Sequence, residues 1–403
     1  MGFSHQDVRK NVYFDGHERD DVVEYRKTFV KEWRELSRRF VIFHDDGSWE
    51  KPPGLLQGEK PLVLVTHDES TFNVNDGKRK LWMEEGKQPL RPKGKGKGVM
   101  VSGFLTPGGV LRVPSTTTDE ELLSDPTWPR DNNHPLREAI HYLEYGKDNY
   151  WTGEKMVDHT RRIIPILKYA FPGCEGLFAF DNASNHSAFA PDALVASKMN
   201  LGPGGKQPLM REGWDYNRNL PQSMVFGEND YRCGKAKGIQ QVLKERGLWR
   251  ERCSDGRKFL LSCPKTHDRP GCNPTLEGGC CATTLLQSQR DFQQQKGHLQ
   301  EEVEASGHRV IFYPKFHCEL NFIERFWCAA KGYTREHCKY SLNDLRHAIP
   351  AAFDSIPPST INKYYHHCAR TIDAYADGFT YGTKAFVEQV HKNHRQVVDK
   401  SKW

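Results

Sequence analysis

The sequence predicts an α/β protein built on a mixed five-stranded sheet with helices on both faces. Three observations support this fold class. Short apolar runs have the length and composition of buried strands, a Gly-Gly turn joins two of them, and amphipathic helices separate or follow the others. Sheets flanked by helices bury both faces, which explains why these runs are continuously apolar rather than alternating.

The elements follow one another in an order that can be compared with known architectures. The predicted strands are Leu62–Val65, Val99–Leu105, Val110–Val113, Gly176–Phe180 and His308–Tyr313. A helix at Thr152–Ala170, which Pro165 should bend or restart, separates the third strand from the fourth, and another helix begins near Asn321 and runs through Lys331. Three strands, a helix, a strand, a long insertion, a strand and a helix match a ribonuclease H-like core.

This order divides the chain into five predicted segments. Residues 1–55 form an N-terminal helical segment, residues 56–189 the first part of the core, and residues 190–307 a Cys-rich insertion. Residues 308–340 supply the last strand and helix of the core, and residues 341–403 form a helical C-terminal region.

Composition limits the class of protein without identifying it. The 403 residues carry a formal net charge of +6, which permits a polyanionic partner but does not require one. The sequence lacks an apolar run long enough for a membrane span, and charges occupy the N-terminus where a signal peptide needs apolar residues. We therefore expect an intracellular protein whose eleven cysteines are thiols or metal ligands rather than disulfides.

Three carboxylates fall where such a fold would bring them together. Asp68 follows the first strand, Asp181 follows the fourth, and Glu324 lies in the first turn of the helix after the fifth. Side chains at the carboxyl ends of neighbouring strands share one crevice, and three carboxylates there require neutralisation by cations. Hard oxygen ligands suit Mg²⁺ or Mn²⁺, and two such ions serve phosphoryl chemistry. Any one of these acids alone would be interpreted as a turn or capping residue.

Three segments carry a family resemblance. The segments are HDESTF (residues 67–72), FDNASNH (180–186) and YPKFHCELNFIERFW (313–327). They resemble the three acidic motifs of DDE transposases, and the third is similar to that of the mariner-like branch. The chain also resembles the fungal DDE-superfamily endonucleases, which have a Cys-containing insertion. The resemblance implies that Asp68, Asp181 and Glu324 are catalytic.

Several neighbours of the triad compete for a role. Glu319 is a rival third ligand, although we favour Glu324 because a helix fixes it better. Glu69 should point away from the site, because side chains alternate along a strand. His186 and Asn182 are expected either to bind phosphate and orient metal-bound water or only to hydrogen-bond their loop. Trp327 is expected in the core.

A basic loop precedes the second strand. Arg91, Lys93, Lys95 and Lys97 alternate with Gly or Pro, which gives a flexible cationic segment that could follow a phosphate backbone. Lys331, seven residues after Glu324 on the same helix, is a second candidate for a phosphate contact. The alternative is a solvated hairpin loop.

The insertion contains a cluster of potential zinc ligands. Its members are Cys253, Cys263, His267, Cys272, Cys280 and Cys281. Thiolate and imidazole suit a structural Zn²⁺ ion, although the spacing is irregular and buried structural cysteines are the alternative. Because adjacent cysteines are expected to supply only one ligand, the predicted set is Cys253, Cys263, His267 or Cys272, and one of the last pair.

The leading functional hypothesis is a transposase that cuts double-stranded DNA at terminal repeats and joins the freed 3′-hydroxyl to a target. We expect a nuclear protein, and the pairing of two ends favours a homodimer. The alternatives are a non-catalytic, domesticated nucleic-acid-binding protein and another ribonuclease H-like nuclease. End recognition by helix-turn-helix domains is usual before such a core. Only one helix is predicted there, so we expect a fragment, a truncated copy, or a protein that uses its insertion and C-terminal helices instead.

Overall fold

The computed structural model describes residues 16–78, 90, 92–145, 150–183, 185–253, 256–263 and 280–390. The chain divides into two compact units. Unit 1 combines Met1–His186 with Glu302–Trp403, and unit 2 consists of Ser187–Glu301. Most of the predicted insertion, residues 190–307, therefore belongs to unit 2.

The regular elements are numbered in chain order. The strands are β1 (Ile42–Phe43), β2 (Trp49–Glu50), β3 (Leu62–Asn73), β4 (Gly98–Thr106), β5 (Gly109–Val110), β6 (Arg130–Asp131), β7 (His134–Pro135), β8 (Ile140–Tyr145), β9 (Glu175–Phe180), β10 (Gly213–Asp215), β11 (Leu220–Gln222) and β12 (Arg309–Phe312). The helices are α1 (Asp20–Ser37), α2 (Asp119–Leu123), α3 (Gly153–Ala170), α4 (Ile239–Glu245), α5 (Ala282–Gln287), α6 (Arg290–Gln293), α7 (His298–Ala305), α8 (Ile323–His337), α9 (Leu342–Asp354), α10 (Pro358–Ala376) and α11 (Lys384–Val390). Within the described residues, none of these helices combines the length and the apolar character that a bilayer crossing requires.

The main sheet of unit 1 confirms the predicted fold class. Its five principal strands lie in the order β8, β4, β3, β9, β12, and the two-residue β5 also pairs with β4. β4 is antiparallel to both of its neighbours, β8 and β3. β9 is parallel to both of its neighbours, β3 and β12. The three leading strands thus form a meander, and the two later strands are added in parallel beyond the first, which is the ribonuclease H-like arrangement.

One strand of the meander was placed incorrectly from the sequence. The predicted third strand, Val110–Val113, contributes only β5, whereas the long partner of β4 is β8. β8 was not predicted because it contains polar residues. His141 and Glu144 lie on either side of the buried Leu143, so the segment lacks a continuous apolar run. A strand at the edge of a sheet tolerates such polar positions because one side remains solvated.

The middle strands are buried because helices cover both faces of the sheet. On one face, Leu62 and Leu177 belong to a core that includes side chains of α1, α8, α9 and α10. On the other face, the ring of Phe104 lies 5.1 Å from that of His159 in α3. Trp327 is 1% exposed and packs in the first of these layers, as predicted.

Helix α3 passes through Pro165 without a break. A bend or a restart was predicted at Pro165, and the restart does not occur, since the helix is continuous from Gly153 to Ala170. Its apolar side, which includes Ile163 and Leu167, is buried. This burial offsets the one backbone hydrogen bond that the proline cannot donate.

Unit 2 has a core of its own and a buried ion pair. Apolar side chains of α4 and α5 pack with Phe292 and several residues between Ala190 and Met224. Arg246, 1% exposed in its side chain, donates to both oxygens of Asp291 at 2.9 and 2.6 Å and to Gln222 at 2.7 Å. A fully buried guanidinium requires these acceptors, because burying an unpaired charge strongly destabilises the folded state.

Candidate active site

Strand register brings Asp68 beside Asp181. The parallel pairing of β3 and β9 ends with Thr66 opposite Ala179. Asp68 and Asp181 each come two residues after this pair. Asp68 lies inside β3 rather than after it as predicted, because β4 continues to pair with β3 as far as Asn73.

Glu324 lies in the first turn of α8, as predicted, and Asn321 fixes where that helix begins. The buried Asn321 amide donates to the backbone oxygen of His67 at 3.1 Å and accepts from the hydroxyl of Thr66 at 2.6 Å. These bonds attach the start of α8 to β3 immediately before Asp68. This role of Asn321 was not predicted from the sequence, although Asn321 precedes Glu324 by less than one helical turn.

The three acids line one cavity of about 790 Å³, together with Asn182 and Glu319. Burial and the negative charges of Glu324, Glu69 and Asp181 hold the pKa of Asp68 well above its ordinary value. Burial also raises the pKa of Glu324, against the lowering effect of Lys331. The carboxylates therefore influence one another electrostatically across the cavity.

This donor set fits a divalent cation. The raised pKa values of Asp68 and Glu324 indicate that their ionised forms lack sufficient neutralising charge, and a hard cation supplies it. Mg²⁺ and Mn²⁺ prefer oxygen ligands and retain waters, which a cavity of this volume accommodates. Asp68, Asp181 and Glu324 are thus the residues that would hold such ions.

A buried histidine links Asp181 to a second acid. The Nδ1 of His186 lies 2.5 Å from Oδ1 of Asp181, and its Nε2 lies 3.6 Å from Oε1 of Glu69. Burial tends to raise the pKa of Asp181, but the hydrogen bond with His186 and its charge outweigh this effect and lower it. His186 therefore keeps Asp181 ionised and oriented. With a ring only 1% exposed, His186 presents no surface for the direct DNA contact that the sequence suggested.

Replacement of His186 should change how stability depends on pH. Burial opposes protonation of His186, but the hydrogen bond with Asp181 and the negative charges of Glu69 and Asp181 outweigh it and raise its pKa from 6.5 to about 10. Because the pKa of His186 is higher in the folded than in the unfolded protein, its protonation stabilises the fold. This stabilisation is complete below pH 6.5, the pKa in the unfolded protein, and is lost as the pH rises towards 10. In EDTA, we expect the urea midpoint of the wild type to exceed that of His186→Gln most at mildly acidic pH, and the difference to shrink above neutrality. A difference that does not vary with pH would show that the ring is neutral.

Glu319 lines the same cavity but is bound elsewhere. Its Oε1 accepts from the hydroxyl of Tyr375 at 2.8 Å and lies 3.2 Å from Nε2 of His17. Both partners contact one oxygen of the carboxylate that would otherwise compete with Glu324. Glu319 therefore links α10 to the site and is less available than Glu324 as the third ligand of the triad.

A second cavity, of about 740 Å³, collects basic side chains from separate elements. Lys95 of the loop before β4 and Lys331 of α8 line it, and so does Arg335, which the sequence analysis did not single out. Lys93, Lys95 and Lys97 are exposed. Arg91 lies outside the described residues. The structure thus brings the predicted basic loop and α8 to one polar cavity.

The zinc prediction is altered by the structure of unit 2. Cys263, Cys280 and Cys281 place their sulfur atoms within 4.8 Å of one another. Both adjacent cysteines therefore belong to the cluster, whereas the sequence analysis expected only one of them to be a ligand; Cys281 has extended backbone and precedes the first residue of α5. Cys253 is outside this group, with its sulfur 3.8 Å from the backbone oxygen of Cys280. The predicted ligands His267 and Cys272 lie outside the described residues.

No family model matches the chain, and no curated protein does. Solved structures similar to it include a pre-cleavage Mos1 transpososome, the Mos1 mariner paired-end complex with Mn and the Mos1 strand transfer complex. The first two are 11% identical, with a TM-score of 0.44, and the match covers 94% of this chain and 67% of theirs. For the third, the values are 10%, 0.40, 94% and 66%. The chain spans about two thirds of the length of those transposase chains.

Proposed function

We propose that this chain is the catalytic region of a DDE transposase of the mariner-like branch, which cleaves DNA and transfers strands with divalent metal ions. The observation that carries the proposal is the convergence of Asp68, Asp181 and Glu324 on one cavity of a ribonuclease H-like sheet. The raised pKa values of Asp68 and Glu324 mean that their ionised forms destabilise the metal-free protein, and such a cost is expected at a functional site.

The three acids would hold Mg²⁺ or Mn²⁺. When bound, two such ions supply activation of a water or a 3′-hydroxyl and stabilisation of the leaving oxygen. His186 holds Asp181 in its ionised form, and Asn321 holds the start of α8 so that Glu324 faces the cavity. The protein's own contribution is therefore the fixed placement of the three carboxylates.

The substrate we propose is double-stranded DNA with transposon terminal repeats, bound by a homodimer in the nucleus. Lys95 and Lys331 supply positive charge at one cavity, where Arg335 is paired with Asp76, and Lys93 and Lys97 are exposed on the same loop as Lys95. Contacts of this kind bind phosphates without reading sequence and weaken as salt rises.

A structural Zn²⁺ in unit 2 completes the proposal. Cys263, Cys280 and Cys281 supply three sulfur atoms in one place, which is the chemistry that structural zinc sites use. An insertion with few long elements gains stability from such an ion. Together with the resemblance of the motifs, this cluster supports the fungal type with a Cys-rich insertion.

The test is cleavage of a labelled DNA duplex in Mg²⁺, Mn²⁺ or EDTA. We expect metal-dependent nicking that falls on the order of a thousandfold in Glu324→Gln, because a group that stabilises transition-state charge is removed. Glu319→Gln is the matched control, since both residues line one cavity and the substitution is the same. It should retain activity within about tenfold of the wild type, as expected for a supporting contact.

The outcomes separate the competing hypotheses. Equal losses in the two variants would contradict the assignment of Glu324. A folded wild type that binds DNA and cleaves nothing would indicate a domesticated copy. Cleavage of RNA:DNA hybrids without strand transfer would instead indicate another ribonuclease H-like nuclease.

A further inference from the structure

Three buried polar atoms converge behind the carboxylates. They are Nδ1 of His67, Oε1 of Glu69 and Nε2 of His186, each less than 1 Å² exposed and without a hydrogen-bond partner among the described residues. These three residues place one ligand atom each within 4.8 Å of one another. Since buried polar atoms are nearly always satisfied, three unsatisfied ones facing each other indicate an occupant.

Strand geometry explains why these atoms meet. His67 and Glu69 are two residues apart in β3 and so lie on the same face, opposite to Asp68. His186 reaches that face from the loop after β9, and its ring is 5.4 Å from that of His67. The cluster is therefore distinct from the triad, although His186 contacts both.

Each histidine has its other ring nitrogen engaged. Nε2 of His67 lies 2.8 Å from the hydroxyl of Ser102, and Nδ1 of His186 lies 2.5 Å from the carboxylate of Asp181. Metal-binding histidines characteristically direct their second nitrogen to such a partner, which fixes the tautomer and the ring orientation. Both rings are thus held with one nitrogen towards the centre of the cluster.

We propose that His67, Glu69 and His186 bind a Zn²⁺ ion and leave its fourth coordination position to a water molecule. Two imidazoles and a carboxylate are a common ligand set for zinc, and tetrahedral bonds would separate neighbouring donor atoms by about 3.3 Å. The 3.6 Å between Glu69 and His186 needs little adjustment. An ion pair of these two residues alone leaves Nδ1 of His67 without a partner. The nearby charges of Asp68 and Asp181 favour a cation over a buried water.

This site would act as a positioning device for the triad. Zinc on Nε2 of His186 would immobilise the ring whose other nitrogen holds Asp181. The inference does not rest on the proposed function, because zinc binding can be measured without any cleavage.

The experiment measures zinc per chain by mass spectrometry in the purified full chain. The variants are Glu69→Gln and His67→Gln, and the matched control is His159→Gln. His159 is also buried and bonds the same Ser102 hydroxyl at 2.9 Å, but its ligand atoms are outside the cluster. We expect both cluster variants to lose one equivalent of zinc, the control to lose none, and zinc in the cysteine cluster to remain in all four proteins.

A second readout covers variants that fail to fold. Co²⁺ is titrated into zinc-free wild type in excess Mg²⁺, which occupies hard carboxylate sites. The proposal expects a visible absorption band without thiolate-to-cobalt charge transfer, in addition to any band from the cysteines. Equal zinc in the wild type and folded Glu69→Gln, or a cobalt spectrum from sulfur ligands alone, would overturn it and assign the cluster to a water or an ion pair.

Discussion

Asp68→Asn should abolish DNA cleavage while making the metal-free protein more stable. Burial and the neighbouring carboxylates raise the pKa of Asp68 far above the ordinary 3.8, so its ionised form costs stability at neutral pH. Replacing the carboxylate by an amide removes this destabilisation. In the wild type, the destabilisation is complete above the raised pKa of Asp68 and disappears as the pH falls below 3.8. The same amide is a poor ligand for Mg²⁺, so cleavage should fall on the order of a thousandfold.

This prediction is specific because cleavage should fall while the stability of the metal-free protein rises. Cleavage rates in Mg²⁺ and urea midpoints in EDTA are measured on the same preparations at neutral pH. A residue with a purely structural role would lower both quantities. Full activity of folded Asp68→Asn would exclude Asp68 from the catalytic triad, and a lower midpoint would show that the carboxylate stabilises the fold.

Asp291→Ala should unfold unit 2 at much lower denaturant concentration. The substitution leaves the guanidinium of Arg246 buried without its bidentate partner and also removes the acceptor for the backbone N–H of Trp214. Breaking a buried ion pair on one side costs about 3–5 kcal/mol. Urea unfolding followed by the fluorescence of tryptophans should show the change.

Asp192→Ala is the matched control within the same unit. Asp192 also binds an arginine through both oxygens, but Arg211 and Asp192 are 34% and 54% exposed in their side chains. An exposed pair is worth roughly 0–1 kcal/mol, so this variant should change little. Replacing both buried partners by apolar residues, as in Arg246→Met with Asp291→Leu, should recover much of the lost stability. Equal costs for the two single variants would contradict the role of burial.

The sequence was sufficient for features that are local in the chain. Leu62–Val65 and Gly176–Phe180 could be predicted as strands because burial on both faces demands continuous apolar residues. Asp181 and Glu324 could be placed because a strand ends, or a helix begins, beside each of them. The apolar surroundings of Trp327 on α8 likewise predicted its place in the core.

Other features depended on contacts between distant segments. β8 was missed because its polar residues are tolerated only at the edge position that the sheet gives it. Asp68 proved to lie inside β3 because the length of β4 decides how far β3 extends.

The sequence by itself determined the class of sheet, the elements that carry the three acids, and the chemistry that their residue types allow. Only the tertiary structure decided that His186 joins Asp181 to Glu69, that Asn321 attaches α8 to β3, and that His67 faces both. Glu69 and His186 are far apart in the chain, and their meeting depends on the parallel register of β3 and β9. A tight turn sets the register of a hairpin, but β3 and β9 are parallel and distant in the chain, so their register depends on how the whole sheet packs.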